Sequence, residues 1–158
     1  MERVPITQDG YESLKEELKH LKAVERPKVI KAIEEARAHG DVSENAEYDA
    51  AKERQAQITR RINELEYKIA SSEVINTSDL NTDRAFFGCT VVLENMDTEE
   101  IVRYQLVGPY ESDIKKGRIS ISSPLGRGII GKKKGDEITV QVPGGLRRYE
   151  VVDILATP

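Results

Sequence analysis

Between residues 51 and 69 the chain repeats seam-forming side chains at spacings of 4, 3, 4, 3 and 4: Ala51, Gln55, Ile58, Ile62, Leu65 and Ile69. Such a seam suits an α-helix that seats one stripe against a partner helix. A strand cannot present it, because strand side chains alternate with a period of two. A second stripe upstream supplies the partner. Tyr11, Leu14, Leu18 and Leu21 follow at 3, 4 and 3, and the stripe resumes as Val29, Ile33 and Ala36. The eleven-residue step from Leu18 to Val29 is a four-residue stutter in a heptad frame. Pro27 lies inside it, where a bent or loosened helix is expected. Two helices with one stripe each and a short joint pack antiparallel. Thr7 is placed to cap the first. His39-Gly40 reads as its end, with glycine left-handed, and Asp41 or Ser43 as the cap of the second. Each helix is then about 30 residues, or about 45 Å at 1.5 Å per residue. The hairpin tip falls at residues 40–44.

The remainder of the chain is written differently. Residues 1–76 hold two of the eleven glycines, and residues 77–158 hold the other nine together with four of the six prolines. Turn signals at that density imply short strands. Thr90–Glu94, Glu100–Val107, Ile138–Val142 and Arg147–Leu155 alternate as strands. Gly108-Pro109 forms a turn and Pro143-Gly144-Gly145 a hairpin loop. Ser123 and Pro124 read as the N-cap and first residue of a short helix ending near Ile130. The expected fold class is α+β in two domains: an antiparallel coiled-coil arm over 1–76, a polar linker over 77–83, and a small antiparallel sheet domain over 84–158. This division explains why 33% of the residues are charged against about 25% in an ordinary globule. A two-helix arm buries only a thin seam.

Several classes are excluded or disfavoured. No apolar run approaches the roughly 18 residues of a membrane span, and the first residues carry no apolar signal core, so a cytoplasmic protein with no membrane partner is expected. The single cysteine, Cys89, rules out an internal disulfide framework and a multi-cysteine zinc site; it reads as a small buried side chain. A net charge of −4 argues against a free-standing binder of duplex DNA.

The tip is the most informative segment. Residues 40–49 hold Asp41, Glu44, Glu47 and Asp49 and no cation. Asp41 and Glu44 are three apart at a helix start, so their carboxylates can face one way. An exposed pair of this kind suits Mg²⁺, which takes one or two carboxylates and keeps several waters. The same Asp-x-x-Glu spacing is also a capping box, favoured by the helix dipole, and the two roles compete for the same oxygens. Behind the tip lie Lys28, Lys31, Arg37, Lys52, Arg54, Arg60 and Arg61. They form either a solvated face of i,i+4 ion pairs or a basic track for single-stranded nucleic acid.

These residues carry a resemblance. Gly40-Asp41-Val42-Ser43-Glu44-Asn45-Ala46-Glu47-Tyr48-Asp49-Ala50-Ala51-Lys52-Glu53 resembles the tip motif of the bacterial GreA/GreB transcript-cleavage factors. Ile121-Ser122-Ser123-Pro124-Leu125-Gly126-Arg127-Gly128-Ile129-Ile130-Gly131-Lys132, Val142-Pro143-Gly144-Gly145 and Tyr149-Glu150-Val151 are similar to the same family, as is the opening from Thr7 to Leu21. The wording Ser43-Glu44-Asn45-Ala46-Glu47-Tyr48 lies nearer the GreA branch. The resemblance implies a coiled-coil arm and an FKBP-like second domain that docks at the secondary channel of bacterial RNA polymerase. The arm then reaches the active centre of a backtracked complex. There Asp41 and Glu44 help hold a second Mg²⁺, shared with the polymerase, which cleaves its own RNA; Ser43 orients the tip loop. Arg37 and Lys52 fall where the family contacts the extruded RNA 3′ end, and Ser122 and Pro124 in the loop associated with polymerase docking. The expected protein is a monomeric accessory factor with no catalytic site and no stably bound cofactor of its own. The run Lys132-Lys133-Lys134 is less typical and has no assigned role.

Two other readings stay in view. A relative that only occupies the channel and inhibits carries an altered tip, whereas this tip is intact. A prolyl isomerase needs an apolar, aromatic-lined pocket, and Phe86, Phe87, Tyr104, Tyr110 and Tyr149 serve as well for a core. His20 and His39 read as surface residues of the arm.

Overall fold

A computed structural model describes residues 2–41, 45–78 and 81–156. The chain divides into two compact units, Tyr11–Ser71 and a sheet unit made of Met1–Gly10 with Ser72–Pro158. The boundary drawn from composition at residue 76 therefore moves. The first ten residues and the stretch after Ser71 belong with the sheet. The reason is a parallel pair that neither short segment announces alone: β1 (Val4–Ile6) lies beside β2 (Ser72–Val74), with Val4 opposite Ser72 and Ile6 opposite Val74.

In the helical unit, α1 (Gln8–His20) passes through a π-helical stretch, Leu21–Glu25, into α2 (Arg26–Ala38). After the tip, α3 (Ala46–Ser71) returns antiparallel. The seam is as the spacing predicts: Leu14, Leu21, Val29, Ile33 and Ala36 on one side and Ile58, Ile62 and Leu65 on the other are buried. Ala51, Gln55 and Ile69 are half-buried at its margins. The interruption of the stripe takes another form than the four-residue stutter expected. Leu14 to Leu21 is seven residues, Leu21 to Val29 is eight, and Val29 to Ala36 is seven. One extra residue must be absorbed between Leu21 and Val29, and a π-helical turn holds about one residue more than an α-turn. Pro27, which has no N–H and crowds the carbonyl four residues before it, is the second residue after this widened turn.

Ion pairs flank the seam. Arg61 grips Glu17 through Nε and Nη2 at 2.6 and 2.8 Å, and Arg54 meets Glu25 at 3.5 Å. The Arg61 hydrogen bonds hold the Glu17 carboxyl below the usual carboxylate range, against a smaller opposing effect of burial. Glu17 in turn raises Arg61.

The sheet unit contains five strands in the order β5-β4-β3-β7-β6, where β3 is Thr90–Asn95, β4 Ile101–Val107, β5 Arg118–Ser120, β6 Glu137–Val142 and β7 Gly145–Leu155. The four strands that the sequence predicts all form, within a few residues of their expected ends. β5 is additional to them, and it pairs parallel to β4, so the sheet is antiparallel except at that edge. The register between β3 and β7 shifts between Val92, opposite Asp153, and Leu93, opposite Val151, so the extra residue, Val152, lies on β7. Helix α4 (Pro124–Ile129) covers one face. Its N-cap is Ser123, whose Oγ accepts from the Gly126 N–H, and Pro124 opens the helix. Ala85, Cys89, Val91, Leu93, Leu106, Ile119, Ile129, Ile138, Val140, Tyr149, Val151 and Ile154 form the core. Cys89 is buried as expected. Of the aromatics, Tyr149 is buried in this core and Tyr104 packs against it, whereas Phe86 is 46% exposed. No helix among the described residues is long and apolar enough to cross a membrane.

Candidate functional site

The tip is framed by two helix ends. α2 finishes at Ala38, and His39 closes it with its N–H donating to the Ala36 carbonyl at 3.2 Å. Gly40 then takes φ +150°, a positive value, although not the left-handed helical conformation expected of a C′ glycine. Asp41 comes next, exposed. Val42, Ser43 and Glu44 lie outside the described residues, so the expected orienting role of Ser43 and the Glu44 half of the acid pair fall there.

The expected cap is corrected. α3 opens at Ala46, and its N-cap is Asn45, not Asp41 or Ser43. Asn45 Oδ1 accepts from the Tyr48 N–H at 3.1 Å, and its carbonyl accepts from the Asp49 N–H at 3.1 Å. Its Nδ2 simultaneously donates to the Ala36 carbonyl at 2.6 Å. One side chain thus closes the N-terminus of α3 and the C-terminus of α2, stitching both sides of the tip. Asp41 stands four residues before the cap, so Asp41 and Glu44 are not the capping box of this helix. The signal was available: Asn is as good an N-cap as Asp, and Asn45 immediately precedes the unbroken helical run.

Around this frame the arm surface is polar. The Arg37 guanidinium lies over the Tyr48 ring, 5.8 Å from its centroid. His39 Nδ1 is 3.4 Å from Glu47 Oε2, and His20 Nε2 is 3.2 Å from Glu25 Oε1. Both histidines are exposed, as expected, and each faces a carboxylate. Lys52 Nζ donates to Gln55 Oε1 at 3.2 Å and stays exposed. Arg37 and Lys52 are therefore carried on α2 and α3 respectively, both open to solvent. Among the described residues, no group of three or more His, Cys, Asp or Glu side chains could enclose a metal ion.

In the sheet unit, Ser122 and Pro124 flank the cap of α4. Ser122 Oγ is 2.6 Å from Ser120 Oγ, and the Ser122 N–H donates to that same oxygen at 3.1 Å. Pro124 lines an open groove with Tyr104, Ile114, Leu125, Val142 and Tyr149. Ser122 is not part of that wall. Ile114 is 72% exposed at its edge, the most exposed of the large apolar residues described. Burial pushes the Tyr104 hydroxyl above its usual range, with Tyr149 and Glu100 adding to the shift.

Residues 4–74 match the family described as transcription elongation factor, N-terminal, of GreA and GreB, and residues 80–156 match transcription elongation factor, GreA/GreB, C-terminal. Among individual proteins, transcription elongation factor GreA of Syntrophobacter fumaroxidans is 56% identical over 154 residues, covering 98% of this chain and 99% of that protein. GreA of Phenylobacterium zucineum is 55% identical over 154 residues, covering 98% of each. Among solved structures, Thermus aquaticus Gfh1 is 27% identical and aligns over 98% of this chain and 99% of its own, with a TM-score of 0.45.

Proposed function

The chain belongs to the GreA/GreB family of transcription elongation factors, and we propose that it stimulates cleavage of backtracked RNA by RNA polymerase, completing the polymerase active centre from the tip of its arm. The observation that carries this reading is the tip itself. An exposed Asp41 precedes an Asn45 that performs the helix capping, so the acids are not needed to start α3.

The donor set fits a shared metal better than a private one. Mg²⁺ keeps several waters and accepts one or two carboxylates, and Asp41 with Glu44 would hold it in company with the polymerase. When bound, such an ion activates water and stabilises the leaving oxygen in a two-metal hydrolysis. The chain's own residues do the rest. Asn45 ties α2 to α3 and so presents the tip as one piece. Arg37 and Lys52 offer cations to the phosphates of extruded RNA, and the stacking of Arg37 on Tyr48 restrains its guanidinium. The sheet unit would dock at the mouth of the secondary channel, with Pro124 and the apolar groove beside it as the contact surface and Ser122 at the neighbouring turn.

The test is RNA cleavage in purified backtracked complexes with Mg²⁺ titrated. Asp41→Ala and Glu44→Ala should abolish stimulation, shift the Mg²⁺ requirement upward, and leave polymerase binding within about threefold, since the docking unit is untouched. Full stimulation by the double variant would overturn the metal role. A wild-type chain that slows nucleotide addition without cleaving would make this an inhibitor.

A further inference from the structure

The run Lys132-Lys133-Lys134, which neither the core nor the tip explains, lies in the sheet unit between α4 and β6. The turn that carries it is pinned at both ends. The Lys132 N–H donates to the Ile129 carbonyl at 3.0 Å, and the Gly135 N–H donates to the Val151 carbonyl at 2.8 Å. Inside the turn the Lys133 N–H donates to Asp136 Oδ2 at 2.9 Å, so that acid helps to close the backbone. A second segment lies against this one. Ala85 donates its N–H to the Lys132 carbonyl at 2.8 Å and accepts from the Gly131 N–H at 2.7 Å. Ala85 is fully buried, while its chain neighbours Arg84 and Phe86 are exposed, Phe86 to 46%. Arg84 Nη1 donates to the Gly131 carbonyl at 3.0 Å, which sets the guanidinium beside the lysine run. Two distant pieces of chain thus bring four cations and one aromatic ring to one patch of the sheet unit.

These cations differ from others in the chain. Arg61, Arg118 and Arg148 meet carboxylates at 2.6, 2.7 and 2.9 Å. Among the described residues, Arg84, Lys132, Lys133 and Lys134 form no ion pair. Like charges gathered without counter-ions repel one another, so the arrangement does not stabilise the fold. In a chain of net charge −4 it is also a local reversal of sign. Such a patch suits an anionic partner, and the exposed ring narrows the kind. An acidic peptide asks only for cations. A single nucleic-acid strand offers phosphates to the cations and the faces of unpaired bases to an aromatic ring. The guanidinium adds a planar donor fork that matches phosphate. A duplex keeps its bases stacked inside and has no face to give Phe86.

We propose that this patch of the sheet unit binds single-stranded nucleic acid: Arg84, Lys132, Lys133 and Lys134 take phosphates, and Phe86 stacks on a base. The contact uses no residue of the acidic tip and needs no polymerase.

The experiment uses the full chain carrying Arg37→Gln and Lys52→Gln, which removes the two arm cations offered to RNA above. An oligoadenylate RNA of about ten nucleotides, the DNA strand of the same length, a DNA duplex and polyglutamate of equal charge are titrated by fluorescence anisotropy and by amide chemical shifts. Both single strands should bind, with shifts concentrated at residues 84–86 and 131–134. The logarithm of affinity should fall with that of salt concentration at a slope of about −3, as four phosphate contacts on a single strand require. Lys133→Gln with Lys134→Gln should weaken binding on the order of tenfold and make the slope shallower by about 1.4. Phe86→Leu should weaken it about fivefold and leave the slope alone, and Phe86→Tyr, which keeps the ring, should bind as Phe86 does. These side chains are exposed, and an amide spectrum unchanged elsewhere shows that each variant is folded. Absence of shifts at the patch overturns the proposal. So does polyglutamate or duplex binding as tightly as the single strands, or an affinity that Phe86→Leu does not lower.

Discussion

Replacing Asn45 tests whether the tip is held as a single piece. The side chain makes two bonds of different kinds, one capping α3 through Oδ1 and one closing α2 through Nδ2. Loss of an N-cap costs about 1 kcal/mol. Loss of the second bond, which leaves the Ala36 carbonyl with the His39 N–H alone, costs about 1 kcal/mol more at its short distance of 2.6 Å. Asn45→Ala should therefore destabilise the helical unit by about 2 kcal/mol. Asn45→Ser keeps a capping oxygen and loses only the reach to α2, so it should cost about half as much. Asn45→Asp also keeps the cap, but sets a carboxylate oxygen against the Ala36 carbonyl, and should be no better than Asn45→Ser. The assay is urea unfolding followed at 222 nm, where the helical unit dominates, together with cleavage stimulation for each variant. The order of stability should be wild type, Asn45→Ser, Asn45→Ala, and stimulation should fall in the same order although Asp41 and Glu44 are untouched. If Asn45→Ser matches wild type, the stitch to α2 contributes nothing. If Asn45→Ala loses less than about 0.5 kcal/mol, the capping argument itself fails.

Two other parts of the chain yield further outcomes. Because Arg61 depresses the Glu17 carboxyl, the pair's contribution is complete above the ordinary value of 4.5 and is lost as pH falls through the lower folded value. The melting temperature of the helical unit should drop over that acidic window, and the drop should be shallower in Arg61→Met; parallel profiles would show that the pair carries no linkage. Gly108→Ala should destabilise the sheet unit by at least about 3 kcal/mol in chemical denaturation, because its Cβ would meet the Pro5 carbonyl oxygen at 1.8 Å and backbone must move. A near-neutral result would mean that the loop at Gly108 yields freely.

The helical hairpin was legible because its information is local and periodic. Ile58, Ile62 and Leu65 announce a buried stripe wherever they occur, and the long step before Val29 announces that the stripe is interrupted. The sequence does not say how: read as a four-residue stutter, the step proves in the buried seam to carry one surplus residue, taken up in a π-helical turn. The main strands were legible for the same reason, through alternation and turn residues. β1, β2 and β5 were not. Each is three residues long, too short for a period to register, and β1 and β2 exist only because distant segments pair in parallel. Glu111, whose buried carboxylate accepts from the Thr7 and Gly108 N–H groups and from Arg118, was invisible in principle: a lone acid in a loop has no local mark that distinguishes it from a solvated charge.

At the tip, sequence left two duties competing for the same carboxylates, and the position of Asn45 separates them. A capping box built on Asp41 and Glu44 would require a helix beginning directly after Asp41, but α3 begins at Ala46 and takes its cap from Asn45. The consequence is a division of labour that substitutions can resolve in both directions. Changing Asn45 removes helix closure and leaves the acids in the chain. Changing Asp41 removes an acid and leaves both Asn45 bonds in place. If the tip worked merely as a well-capped turn, the two changes would track each other in stability and in activity. If it delivers charge to another protein's active centre, Asp41→Ala should lose stimulation with the Asn45 cap of α3 intact, while Asn45→Ala should lose stability first and stimulation in proportion. An arm built this way can alter its chemistry without altering its fold. In this arm Asp41 stands outside the helix, before a cap, Asn45, that does not depend on it.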